Sequence, residues 1–599
     1  MKKLLFSNVA VTMLMAFTAS FTLSSCSEEI VEDKQENQET QEEDLDLPKD
    51  VTVFTTGGDE TTRTSLDLNA YFYWTADDKI WVDVAGDGNY STSSDDMKMS
   101  SDKRLAKFIF AGGETMNEPT YELTYTGINS TSGTEVTIPQ DQSQNVPNDA
   151  TSIGRNGDCA TATATKNAKG QYTFTLEHKA HYLIFQPYQD PVINTKTWKV
   201  KKIEIISLDD EVLCGTYDFN KTGLIASSVK SPKTTIKIDN IGGTAGVALK
   251  KEKASDNPVW YAVIAPATDE KHNLRIKYTI DPDAEVNYIN GASQDENIVI
   301  VKDLIINSAP NRVTKIAHKM TVERYPTDVF YMWDATAPYW QGISNPPTYY
   351  GANKPSSAFP SGNRLTPITT NAPANGRAAV NSPCQDQPNV NALTWYAMAG
   401  DARWETEYPW VFDNDYNHIY TQGTWFLRWD NIVAANSSVL TGKSITDCDV
   451  SFKGTVRIYT SGTDKEGVLR EYDGTDYRST GFPEDKWFQP RFPSYKTGRP
   501  KDTSNYFFLP ANGHIDRPII NKIPQNYIIL SEGGGIHGCY WSSSEVPGKD
   551  LAYIMETKYY SLHVRQDNAS VFRGKIPGSS DYFLNYNGRP APTDTDWWK

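Results

Sequence analysis

The sequence predicts a mainly β protein, with two β-sandwiches in series and a C-terminal region of different texture. Three observations carry this reading. Short runs of β-branched and aromatic residues recur between about 51 and 320, with Gly, Asp and Asn in the gaps, which is the spacing of sandwich strands. Apolar residues at helical spacing are scarce. Tyr (33), Trp (15), Gly (39) and Pro (33) are abundant, a composition that suits pleated surfaces and turns. A folded part of about 550 residues is too long for one core, so several domains are expected.

Lys2 and Lys3 open the chain, an apolar run extends from Leu4 to Leu23, and Ser24-Ser25 precede Cys26. A basic start, a short apolar stretch and small residues before a cut read as an export leader over 1–25. Leu23-Ser24-Ser25-Cys26 resembles the lipobox of bacterial lipoproteins, which implies a diacylglyceryl group on Cys26. Residues 26–50 then form a lipidated acidic tether. From Ser27 to Asp50 there are eleven Asp or Glu against two Lys and almost no large apolar side chain, too little to offset the entropy of ordering. Setting aside the two leader lysines and the tether's net −9, the formal charge of −17 falls to −10 for residues 51–599. Such a moderate acidity gives no electrostatic footprint for nucleic acid. The acids after the lipid site, Cys26-Ser27-Glu28-Glu29, resemble the surface-export signal of Bacteroidetes lipoproteins. That resemblance implies the outer face of the outer membrane.

In the first folded stretch, 51–168, the strand runs are Val51 to Phe54, Phe72 to Trp74, Lys79 to Val82, Lys107 to Phe110 and Tyr121 to Tyr125. The second, 169–320, supplies Tyr172 to Leu176, Tyr182 to Phe185, Val200 to Ile206, Thr234 to Ile238, Trp260 to Ile264, Arg275 to Ile280 and Ile298 to Ile306. Residues 321–599 hold eleven of the fifteen Trp. Within them Val390, Leu393, Ala397 and Met398 recur near helical spacing and Gly400 suits a helix stop, which predicts the one clear helix over 388–400.

Chemistry-bearing patterns are thin. Beyond Cys26 there are five cysteines, Cys159, Cys214, Cys384, Cys448 and Cys539, an odd number without CxxC or zinc-like spacing. No GxSxG, HExxH or GxxxxGK[ST] occurs. His178 and His181 flank a strand run, and His537 beside Cys539 is sequence adjacency, not the spatial pairing that nucleophilic catalysis needs. Asp413-Asn414-Asp415 and Asp430-Asn431 offer hard oxygens but not an EF-hand order, so solvated loop carboxylates are the expectation. The prediction is a non-enzyme with no cofactor and no metal.

Thr62-Arg63-Thr64 ahead of FYWTADDKIWV (72–82), then VTIPQDQSQ (136–144), LEHKAHYLIF (176–185) and WYAVIAPA (260–267), resemble the fimbrillin-like proteins of Bacteroidetes, subunits of type V pili. The likeness spans about 270 residues through the order of motifs that are individually degenerate. It implies two transthyretin-like sandwiches and a precursor that is clipped by a trypsin-like protease and polymerised by strand exchange with other pilus subunits. YFFLP (506–510), GCYWSSSE (538–545), Ala552-Tyr-Ile and Tyr560 to Val564 resemble paralogous surface domains of Bacteroidetes and Fibrobacter, which implies an α+β C-type-lectin-like domain over about 380–575. The redox cysteine arrangement of the related formylglycine-generating enzymes is not reproduced.

Function follows from the pieces together. The order of a first strand at Val51 to Thr56, a polar loop and Arg63 marks Arg63 as the candidate cleavage point, whose use would remove lipid, tether and strand at once. The expected role is a tip adhesin in which 321–599 recognises a glycan or protein on a target cell. A C-terminal tail of NGRPAPTDTDWWK, rich in Pro and polar residues, makes a poor donor strand. Trp404, Trp410, Trp425 and Trp429 crowd one segment and are the candidate ligand-stacking residues, against the alternative that they are core. Trp541 is expected to be buried. The rival readings are a free surface lipoprotein that binds polysaccharide for uptake and, third, a degradative enzyme.

Overall fold

Strand pairing organises the chain in a computed structural model. It describes residues 51–56, 65–66, 72–111, 116–128, 130–190, 196–286, 297–326, 348–349, 353–355, 382–413, 415–458, 468–481, 496–516 and, beyond them, the strand segments 519–520, 523–524, 527–531, 537–545, 551–558 and 568–575. Cys26, the tether and Arg63 lie outside these residues. The described chain is mainly β, and its buried apolar side chains gather in three clusters.

A single curled sheet encloses the first cluster. Its strands follow the order Thr92–Ser93, Trp81–Val82, Thr120–Tyr125, Ala160–Lys166, Tyr172–Phe174, Val51–Thr56, Ala106–Ala111 and Asp96–Met99. Alternation sends Tyr121, Leu123 and Tyr125 inward from one strand and Phe108 and Phe110 from another. The indole of Trp74 meets both Phe108 at 5.0 Å and Tyr125 at 6.3 Å. Those two rings stand on strands that are not neighbours in the order, so the sheet closes around Trp74.

Two layers make the second cluster. Trp260–Ile264, His181–Phe185 and Arg312–Ile316 form one sheet; Thr235–Ile238, Lys199–Ser207, Lys271–Asp281 and Ile298–Asn307 form the other. Phe185 and Tyr278 meet between them at 6.4 Å. All five residues of His181–Phe185 are buried, as expected of a strand covered on both faces, and the strand pairs antiparallel on one side and parallel on the other.

The division expected at 168/169 does not coincide with these clusters. Tyr172, Phe174 and Leu176 pack in the first, and Glu177–His178 still pairs with Ala160–Lys166. Conversely, Glu135–Ile138 pairs with Cys214–Asn220, and Val136, Ile138, Ile153 and Cys159 pack in the second. Alternation marks a strand and its buried face but not its partner, which is why the crossing was not visible locally.

VTIPQDQSQ explains how the crossing segment is held. Past Ile138 its backbone follows Thr235–Ile238, with Gln142 N–H donating to the Lys237 carbonyl at 2.7 Å and Lys237 N–H to the Gln140 carbonyl at 2.8 Å. On its other side, two side-chain amides act as a strand. Gln142 accepts from Val263 N–H at 2.9 Å and donates to the Val263 carbonyl at 2.7 Å. Gln144 accepts from Tyr261 N–H at 2.9 Å and donates to the Val259 carbonyl at 3.2 Å. Residues two apart share a face, so the pair satisfies the outer edge of Trp260–Ile264 without a further strand. Gln142→Ala leaves both Val263 groups buried without their partner and is expected to cost about 2 kcal/mol, read from urea unfolding. A change below half a kilocalorie would mean that water reaches this edge.

The third cluster surrounds the helix Val390–Ala399. Asn389 caps it, its side chain accepting from Ala392 N–H. Val390 to Ala397 are all buried, so the helix is enclosed and not amphipathic, and the weak periodicity of its sequence reflects that. Gly400 ends it by close approach: a Cβ there would sit 2.3 Å from the Tyr396 carbonyl oxygen, while the left-handed turn falls on Asp401 (φ 44°). A second helix, Trp429–Ala435, and single turns at Ser437–Leu440 and Tyr477–Thr480 add to the one that was expected. The C-terminal unit is also tied into the second cluster. Glu323–Tyr325 pairs in parallel with Trp410–Phe412, Glu285–Val286 pairs in parallel with Asp415–Tyr420, and Val411 and Ile419 pack in the second core.

Candidate functional site

The first strand occupies an interior position. Val51–Thr56 pairs antiparallel with Ala106–Ala111 over Val51↔Ala111 to Thr55↔Lys107, and in parallel with Tyr172–Phe174 over Phe54↔Tyr172 to Thr56↔Phe174. Its last four residues, Val53 to Thr56, are buried. Phe54 is wholly enclosed, stacked on Tyr172 at 4.7 Å, edge-on to Phe110 at 5.1 Å and 6.4 Å from Tyr121. Thr56 adds a tie, its hydroxyl accepting from Ala106 N–H at 3.0 Å. Removing this strand exposes the edges of two neighbours and an aromatic slot between them. A segment of the same chemistry could refill it by main-chain pairing plus one ring.

None of the four tryptophans expected to stack on a ligand is available for it. Trp404, Trp410, Trp425 and Trp429 are 1%, 0%, 6% and 4% exposed. Trp410 stacks on Tyr420 at 4.6 Å, meets Tyr325 edge-on at 5.6 Å and donates from Nε1 to the Gln422 carbonyl, so its ring is committed to packing. Trp429 donates to the Lys443 carbonyl and lies 5.6 Å from Tyr396. Trp404 belongs to the third cluster, and Trp425 pairs opposite Phe508 on the next strand. Composition counts tryptophans but does not say which are covered, and here their crowding marks a core. Trp541 is fully buried, as expected.

The other groups singled out also serve packing. His178 and His181 are buried, and His178 Nδ1 lies 2.8 Å from Asp158. Burial pushes the Cys159 thiol well above its ordinary value, that of Cys214 up to about 12 and that of Cys448 up to about 11, which leaves these thiols without nucleophilic character at neutral pH. The side chains of His537 and Cys539 lie outside the described residues. Asp415 is occupied by His418 and Thr348. Burial opposes its ionisation, yet those hydrogen bonds hold it below the usual carboxylate value. Among the described residues no three His, Cys, Asp or Glu stand together as a metal-binding group.

Solved structures similar to this chain include proteins from Bacteroides and Parabacteroides species. A candidate cell adhesion protein from Bacteroides ovatus is 14% identical, with 45% of this chain and 91% of that one covered at a TM-score of 0.28. Another from Bacteroides uniformis is 13% identical over 44% and 99% of the two chains, with a TM-score of 0.23. A fimbrial assembly protein from Parabacteroides distasonis is 8% identical over 45% and 91%, with a TM-score of 0.22. No family model matches the chain, and no curated protein matches it.

Proposed function

We propose that this protein is a fimbrial subunit placed at the tip of a type V pilus, exported as a lipoprotein on Cys26 and carrying recognition in its C-terminal unit. One observation carries the assembly reading: the first strand after the acidic tether is interior to its sheet and fills an aromatic slot, and Arg63 follows it by seven residues. Cleavage after Arg63 would discard the lipid, the tether and Val51–Thr56 together, and the opened slot would accept a strand from the neighbouring subunit. The resemblance of the sequence motifs to fimbrillin-like proteins supports the same assignment. The resemblance of about 380–575 to lectin-like surface domains supports the tip position, since nothing need polymerise beyond such a unit.

N-terminal sequencing of the protein recovered from the cell surface tests the reading. A start at Thr64 is expected in the fraction sheared from cells with pili. A start at Cys26 alone, with recovery only in membranes, would favour a lipid-anchored surface protein instead.

A further inference from the structure

A cleft of about 360 Å³ opens between the second sandwich and the C-terminal unit. On one side the lining comes from the sheet that holds Lys199–Ser207 and Lys271–Asp281; on the other it comes from Arg403–Glu405 and the segment around Arg499. Its volume is within the range of small-ligand sites, at the lower end.

The walls are charged but nearly balanced, with four cations against three carboxylates, and each cation has a carboxylate partner. Arg275 makes a two-pronged pair with Asp303, both contacts at 2.8 Å, and also donates to the Pro500 carbonyl at 2.9 Å across the cleft. Arg499 lies over the rings of Tyr408 at 5.0 Å and Trp425 at 5.9 Å while reaching the almost fully buried Glu405. Lys277 bonds Glu407 from the opposite unit. At the mouth, Lys501 and Asp210 pair at 3.0 Å with most of both side chains in solvent, so the space is open from outside. Ile206, Leu208 and Val301 give it an apolar patch.

We propose that this cleft is a binding site for a short neutral oligosaccharide. Each sugar hydroxyl both donates and accepts, and here a donor stands beside an acceptor at every pair. Hydrogen bonds to charged groups are the strong ones, and Arg275 and Arg499, already fixed by ion pairs or ring stacking, lose little freedom on binding. The apolar patch suits the C–H face of a sugar ring. A strongly charged ligand finds no net field in so balanced a lining. The strands that carry most of the lining, Lys199–Ser207, Lys271–Asp281 and Arg403–Glu405, each pair on both sides, so they offer no edge to a peptide that adds as a strand. The site deepens the proposed recognition role and rests on that part of the reading, but not on pilus assembly.

The test uses the full mature chain and a panel of neutral disaccharides (maltose, lactose, cellobiose and chitobiose), screened by saturation-transfer NMR and titrated calorimetrically. At least one is expected to bind, and Glu407→Gln and Asp210→Ala are each expected to weaken it about tenfold, the loss of one charge-assisted hydrogen bond, with the melting temperature unchanged. Leu469→Ser, on an exposed strand elsewhere, is expected to leave binding intact. Binding unaffected by both cleft variants would overturn the cleft while leaving sugar recognition by the protein standing. Binding of no member of the panel would overturn the ligand class, and neither result touches the cleavage test at Arg63.

Discussion

Phe54→Ala is expected to destabilise the protein by about 3–5 kcal/mol, the cost of emptying a fully enclosed aromatic site. The ring is stacked or edge-on to Tyr172 and Phe110 and cannot be replaced by solvent, because the strand that bears it is paired on both sides. Urea unfolding followed by aromatic circular dichroism measures it. A loss under about 1 kcal/mol would show that the curled sheet collapses into the vacancy, and the slot would then have no preformed shape for an incoming strand. The same experiment extends to assembly. A chain that starts at Thr64 is expected to bind a hydrophobic dye at the opened slot, and a synthetic VTVFTT peptide to displace the dye. VTVATT is expected to fail, because main-chain pairing alone leaves the aromatic pocket empty.

Much of this architecture was legible in the sequence, because alternation and β-branching act over a few residues. Runs such as Tyr121 to Tyr125, Val200 to Ile206 and Trp260 to Ile264 fall on the strands Thr120–Tyr125, Lys199–Ser207 and Trp260–Ile264. The capped helix at Val390–Ala399 was legible for the same reason. Partnership was not. Nothing local in Glu135–Ile138 says that it joins the second core, and nothing in Trp410–Phe412 says that it pairs with the distant Glu323–Tyr325. Gln142 and Gln144 stand inside VTIPQDQSQ, but their use as a substitute strand depends on an edge supplied by Trp260–Ile264. The ligand candidates failed for a related reason. A tryptophan's apolar area suits a core and a sugar-stacking surface equally, and only the fold decides. The charged cleft was invisible because its pairs, such as Lys277 with Glu407, join residues from separate units.

Acid is expected to weaken the second sandwich well above the pH at which carboxylates titrate. His181 is buried against Thr314, and burial first, then the charges of His272 and Arg312, lowers its pKa to about 3. His318 bonds the Tyr278 hydroxyl, and burial first, then Lys302, lowers it likewise to about 3. Both depressed values mean that the unfolded chain takes up protons at about pH 6.5 while the folded chain does not. The contribution is therefore complete above about pH 6.5 and drains away as pH falls toward 3, at about 1.4 kcal/mol per unit for each site. Between pH 7.5 and 5 the pair should lose about 4 kcal/mol. Carboxylates such as Asp401 and Asp476, whose burial opposes ionisation but whose hydrogen-bond partners hold them low, lose their contribution only nearer pH 4 and below, so the two windows separate. Urea midpoints at the two pH values measure the effect, and His181→Asn, which keeps a hydrogen-bonding amide but cannot titrate, should remove about half of it. Equal stability at pH 7.5 and 5 would mean that these imidazoles are hydrated in the folded protein, and the sandwich core would then be more open than its burial describes.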